Sequence, residues 1–231
     1  MEKAQGHDSC DDWFLELIDV VSKADFIRTK YRQVSLDEPV YSVDDYLEII
    51  SQITGYELLV TAEKWQSFHI RGGCLNFDNH IAKIPVAEHK EHDADNGVSL
   101  CEQRFITIKE AGQLVIDDDD SYIDEDCKGF VEDILFDNEA ITDFRKPGRS
   151  DIFYGKIFAM ELLFPWEYRD KAIKDMDSKS RTSLEIATKF MIPEKELIWF
   201  LSDRMHPALE HIHAVYESLV AKMEEKYTNP N

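Results

Sequence analysis

The run Arg104-Phe105-Ile106-Thr107-Ile108-Lys109-Glu110-Ala111-Gly112-Gln113-Leu114-Val115-Ile116 sets a lysine, a glutamate and a glutamine at neighbouring and fourth-neighbour positions of an apolar helical stretch. When those three positions hold His, Glu and His, the imidazoles at i and i+4 face the same way and share one Zn²⁺, and the Glu activates the metal-bound water. Here the outer two positions are Lys109 and Gln113. A protonated ammonium repels a dication and an amide oxygen is a poor zinc ligand, so the donor types are missing while the spacing is kept. Only Glu110, the would-be general base, stands where such chemistry needs it.

Other groups of chemically able residues are weaker. His89-Lys90-Glu91-His92, with Asp93 and Asp95, lies in a polar run from Ala87 to Gly97 with almost nothing to bury, and reads as a solvated loop. His206, His211 and His213 crowd near the last helix, but His211 and His213 are two apart and point to different faces. Asp117 to Asp126 lacks the central Gly and the closing bidentate Glu of a calcium loop. The four cysteines, Cys10, Cys74, Cys101 and Cys127, form no C-x-x-C pair, which excludes a zinc knuckle or a dithiol motif. No nucleophile elbow or Gly-rich phosphate loop is present.

The elements that must position Lys109, Glu110 and Gln113 follow from periodicity and caps. Trp13, Phe14, Leu17, Val20 and Val21 form the stripe of a first helix, and Ser42 caps a second that ends at Gly55. Tyr56 to Thr61, Trp65 to Ile70, Cys74 to Phe77 and His80 to Val86 are short β-prone runs separated by turn residues, expected as an antiparallel meander. Ser99 and Glu102 form a capping-box pattern that opens the helix from Leu100 to Ile116, and the tetrad Asp117 to Asp120 marks its stop. The acidic segment Asp117 to Asp143 carries Phe130, Val131, Ile134 and Leu135 at helical spacing. Asp151 to Phe164 is a strongly apolar helix closed by Pro165; Thr182 to Glu185 caps another, Pro193 opens the next, continuing to about Asp203, and a last helix follows Pro207 to about Lys226.

At 231 residues and 43% hydrophobic content the chain can bury a full core. Its formal charge of -21 repels nucleic-acid phosphates and anionic headgroups, so direct nucleic-acid binding is not expected and a basic protein is the suited partner. No run approaches the ~20 apolar residues of a membrane span, and the start of the chain is polar and acidic, so a cytoplasmic location is expected.

Three segments, in order, resemble the ImmA/IrrE family of bacterial metallopeptidases, which sit beside helix-turn-helix repressors that they cleave. Arg104 to Ile116 is similar to that family's R-F-t-x-x-H-E-x-G-H helix, with Phe105, Glu110 and Gly112 in register; Phe158-Ala159-Met160-Glu161-Leu162-Leu163-Phe164-Pro165 is similar to its F-A-x-x-L-L-M-P signature. Ser183 to Ser202 resembles the helix-turn-helix-like pair that follows. The resemblance covers Tyr41 to Asp203 and implies an α+β, zincin-like (ImmA/IrrE-type) fold, mostly helical with a small antiparallel sheet. It divides the chain into an N-terminal helical extension (1–40), a degenerate metallopeptidase-like domain (41–178) and a C-terminal helical segment packed on it (179–231).

The family carries its third zinc ligand as a Glu six residues before that Phe, a position that here holds Ile152. All three ligand positions, Lys109, Gln113 and Ile152, are then unsuited, so neither zinc nor another cofactor is expected and Glu110 is vestigial. Lys109 is expected to fill part of the emptied pocket and pair with Asp151, Glu161 or Glu110, since an unpartnered buried ammonium costs on the order of several kcal/mol. The expected function is that of a catalytically inactive binding or regulatory module for a protein partner such as a helix-turn-helix repressor or antitoxin. Two alternatives stand beside it: a peptidase with a displaced metal site drawn from His69, His80, His89 or His92 with Asp151, and an acidic DNA mimic that occupies a nucleic-acid-binding protein.

Overall fold

The computed structural model describes residues 8–34, 41–64, 72–77, 80–89, 98–116 and 150–228. Helix α1 (Asp8–Val34) is followed by α2 (Val43–Thr54), β1 (Glu57–Glu63), β2 (Leu75–Phe77) and β3 (Ile81–Ala87). Then come α3 (Leu100–Ile116), α4 (Ser150–Leu163), a 3₁₀ turn (Trp166–Tyr168), α5 (Arg169–Asp177), α6 (Ser183–Phe190), α7 (Glu194–Phe200) and α8 (Met205–Thr228). The described chain is therefore mostly helical with one small sheet. No described helix is long and apolar enough to cross a membrane.

The caps are made as the residue types demand. Asp45 N–H donates to Ser42 Oγ at 3.2 Å at the start of α2, and Gly55 closes it at φ 71°, a backbone region that glycine enters without steric cost. Glu102 N–H donates to Ser99 Oγ at 3.2 Å while Ser99 N–H donates to the Glu102 carboxylate at 3.1 Å, the reciprocal pair that starts α3. Thr182 and Glu185 repeat it at α6.

The sheet differs from the expected antiparallel meander. Its order is β1-β3-β2; β2 pairs β3 antiparallel, but β1 runs parallel to β3, with Val60 opposite Ile84. Alternation of apolar residues marks strands without stating who neighbours whom. A parallel pair needs a connection of about a dozen residues or more, and the chain from 64 to 80 is long enough to supply it and to place β2 on the far edge of β3. Pro85 is tolerated in the central strand because Ile84 and Val86, not residue 85, face β1, and the Pro85 carbonyl accepts from Gly73 N–H at 3.2 Å. The expected strand Trp65 to Ile70, the loop 90–97 and the acidic segment Asp117 to Asp143 lie outside the described residues.

The layers build outward from this sheet. Helices α2 and α3 pack on it, α4 packs on α3, α1 on α4 and α8 on α1. Residues Ile157 to Phe164 are almost wholly enclosed, as expected for a helix apolar all round, because α4 has α3 on one side and α1 on another. Phe14, Leu17, Ile18 and Ile27 of α1 belong to the same apolar cluster as Phe158 and Leu162, so the segment expected as an extension contributes to the common core. The 3₁₀ turn and α5 had no counterpart in the sequence reading, α7 stops at Phe200 short of Asp203, and α8 begins before Pro207.

Helices α3 and α4 approach so closely at Gly112 that a Cβ there would overlap the Phe158 ring. Gly112→Ala is expected to lower stability by about 1–3 kcal/mol through overpacking. A second substitution, Phe158→Leu, should return part of that loss in urea denaturation, as steric coupling between the two positions requires.

Candidate functional site

Helix α3 brings Lys109, Glu110 and Gln113 to the seam between the sheet edge and α4. On one side a Cβ at Gly155 of α4 would lie 3.2 Å from Lys109 Cγ, from the Lys109 carbonyl oxygen and from Gln113 Nε2. Lys109 and Gln113 therefore share the α4-facing side of α3, as an i, i+4 pair should. On the other side Glu110 Cγ would be 3.4 Å from a Cβ at Gly72, whose backbone bridges Val86 of β3. Two glycines thus wall the place where the three side chains meet.

Lys109 Nζ lies 2.5 Å from Glu110 Oε1, with the two side chains only 16% and 9% exposed. Of the carboxylates expected to pair with Lys109, Glu110 meets it, Glu161 pairs with Arg169 and His213, and the Asp151 side chain lies outside the described residues. The ammonium engages one of the two oxygens that a general base would turn toward a water or a metal-bound hydroxide, and offsets the charge of that carboxylate.

Glu161, expected beside Lys109 in the cleft, pairs with other groups: one carboxylate oxygen is 2.6 Å from Arg169 Nη2 and the other 3.1 Å from His213 Nε2. Glu161 lies within an otherwise apolar run that the core encloses, so its charge has to find a partner inside the protein. Arg169, fully buried, supplies it: its guanidinium carbon is 4.2 Å from the Phe200 ring centre and 4.8 Å from that of Trp166, and Nε and Nη1 meet no hydrogen-bond acceptor among the described residues. Trp166 also stacks on the rings of both His206 and His213, at 5.6 and 4.4 Å, so two histidines seven apart on α8 hold one indole between them. His211 points elsewhere, toward the Phe14 ring.

Burial by itself raises the Glu161 carboxyl, but Arg169 and His213 together outweigh it and hold the group well below the ordinary carboxylate range. Burial, aided by Arg169, lowers the His206 imidazole. The cluster was missed from the sequence because its members span residues 161 to 213; the available signal was a lone Glu inside Phe158-Ala159-Met160-Glu161-Leu162-Leu163.

Asp151 and Ile152 fall in the first turn of α4, and their side chains lie outside the described set. Of the histidines in the displaced-site alternative, His69 and His92 are likewise outside it; His80 packs on the Tyr56 ring at 5.7 Å and His89 Nδ1 is 3.1 Å from the Val98 carbonyl. Among the described residues no group of three or more His, Cys, Asp or Glu is placed to hold a metal. The residues at the seam do not suit Zn²⁺: one is a cation, one an amide, and the carboxylate between them is held by that cation.

Two outcomes follow. Glu161→Gln, which strands Arg169, should cost about 3–5 kcal/mol at neutral pH, whereas Lys109→Met, which frees a carboxylate nearer the surface, should cost about 1–3 kcal/mol. Because the folded-state Glu161 carboxyl lies well below its unfolded value of about 4.3, its contribution is complete above that pH, declines as the pH falls below it, and is gone only once the pH has passed through the folded value. Urea midpoints taken from pH 7 down to 3 should therefore keep a constant separation between the wild type and Glu161→Gln down to about pH 5 and draw closer, without meeting, by pH 3. Comparison of the chain with known protein families, curated proteins and solved structures finds no match.

Proposed function

We propose that this chain is a catalytically inactive, zincin-like binding module that acts by engaging a protein partner. The observation that carries the reading is the Lys109–Glu110 pair: at the seam where an ImmA/IrrE-like peptidase would need a metal-activated water, the carboxylate is held by an ammonium. Gln113 beside it, and Ile152 in the sequence, offer no replacement donor of the right kind. Catalysis by Glu110 alone would lack the metal that makes water nucleophilic at neutral pH.

The partner class follows from charge and from the resemblance. A chain of net charge -21 favours a basic protein over nucleic acid, and the family's association with helix-turn-helix repressors makes a repressor or antitoxin the first choice. The α6–α7 pair does not favour a DNA-reading role: Glu196 and Leu197 are buried, and Glu196 pairs with Lys156 of α4 at 3.0 Å, so α7 is spent on packing.

Elemental analysis together with a zinc titration tests the reading. The wild type is expected to hold no stoichiometric zinc and to leave a basic helix-turn-helix repressor uncut. Lys109→His, Gln113→His and Ile152→Glu combined should gain zinc binding, as a preserved frame would allow. One zinc per wild-type chain, lost on substituting His69, His80, His89 or His92 and accompanied by chelator-sensitive cleavage, would replace this proposal with the displaced-site enzyme.

A further inference from the structure

We propose that the outer edge of β1 is the docking surface, and that it receives an extended, cationic segment of a partner protein as an added strand. This rests on the binding-module reading and gives it a place on the molecule.

Strand β1 is the terminal strand of the sheet, and no described residue pairs with its outer side. Its ladder to β3 is anchored by Glu57 N–H donating to the His80 carbonyl at 2.8 Å and by Glu88 N–H donating to the Glu63 carbonyl at 3.0 Å. In a parallel pair, alternate residues turn both main-chain groups to the same neighbour. Glu57, Leu59, Thr61 and Glu63 therefore serve β3, while Leu58, Val60 and Ala62 turn three N–H and three carbonyl groups outward.

Such an edge is normally blunted by charged side chains, a proline, a bulge or extreme shortness, or is covered by a helix or loop. Strand β1 has seven residues, without lysine or proline, and its charges, Glu57 and Glu63, stand at its two ends and leave the centre apolar; the opposite edge strand, β2, has three residues. Leu59 is 50% exposed and Val60 40%, and as consecutive strand residues they lie on opposite faces. An added strand would thus find main-chain partners in its plane and an apolar contact above and below, the combination used in strand addition.

Charge selects the occupant. A second copy pairing about a two-fold axis at Val60 would set Glu57 opposite Glu63 at both ends, between two bodies that each carry -21. Lys83, 2.6 Å from Glu63, offsets part of the charge at that end, so the repulsion between copies falls on Glu57 and on the two net charges. A segment with branched apolar residues at its centre and Lys or Arg at its ends turns the same repulsion into attraction.

The probe is a capped synthetic peptide of alternating Val and Thr between terminal lysines, added to the full chain, with amide hydrogen exchange read residue by residue. Leu58, Val60 and Ala62 should exchange quickly in the free protein and slow by about tenfold or more with peptide, an effect that weakens with added salt. A peptide N-methylated along one edge, which cannot complete the ladder, should give none of this. Val60→Pro removes one outward donor, keeps every bond to β3, and should abolish the response; should that variant fold poorly, the N-methylated peptide leaves the protein unaltered and decides alone. Protection no greater than the N-methylated peptide gives overturns the proposal. So does protection already present without peptide, whether constant with protein concentration (the edge covered by the chain itself) or rising with it (a second copy). Such results leave the binding reading standing, whereas zinc-dependent cleavage would remove that reading whatever β1 does.

Discussion

The closeness of α3 and α4 is the constraint on which the remaining arrangement depends. Gly112 lets the Phe158 ring lie directly on the α3 backbone, and Gly155 brings the α4 backbone against Lys109 and Gln113. With the two helices at this distance the stretch Ile157 to Phe164 is enclosed, α3 lying on one side of α4 and α1 on another, and α8 in turn covers α1. The seam that holds the candidate site is therefore a product of packing.

Two buried charge pairs divide the structure between them. Lys109 and Glu110 are sequence neighbours at the rim of the seam, whereas Glu161 and Arg169 are enclosed and joined to α8 by His213. Neither is expected to add much stability over a well-packed apolar substitute, because desolvation consumes most of the Coulombic gain. What each does is forbid alternatives: Glu161 cannot rotate toward the seam without abandoning Arg169, and Glu110 cannot offer its carboxylate without releasing an ammonium. The first joins α5 and α8 to α4, and the second ties the Glu110 carboxylate to Lys109 at the seam.

Local signals were the legible ones. Ser42, Gly55, Ser99 with Glu102 and Thr182 with Glu185 each act within four residues or at a single turn, and helix ends fell where these residues put them. That Lys109 would seek a carboxylate was legible too, because a cation in an apolar stripe has few places to go, but the choice of Glu110 among Asp151, Glu161 and Glu110 was not. The sheet was only half legible: strand residues declare themselves by alternation, but the parallel partnership of β1 with β3 depends on how a longer stretch of chain returns, which no local pattern records. Arg169 went unrecognised for a similar reason. Its partners Glu161, Trp166 and Phe200 come from three other elements, and only their assembly explains why a charged residue follows a 3₁₀ turn with no exposure at all.

Lys23 of α1 has an effect on how the molecule comes together. Its buried ammonium, held by Asp19, reaches the carbonyl of Ile116 at 3.5 Å and so satisfies the negative end of α3 from ninety-three residues upstream, while Tyr216 of α8 donates to Asp25 across nearly the whole chain. Helix α1, made well before α8, can thus settle fully only after α8 has followed it. Such long-range closure makes for slow assembly, and for a nascent chain in which the apolar stripe of α1 stays in want of cover until α8 has been added.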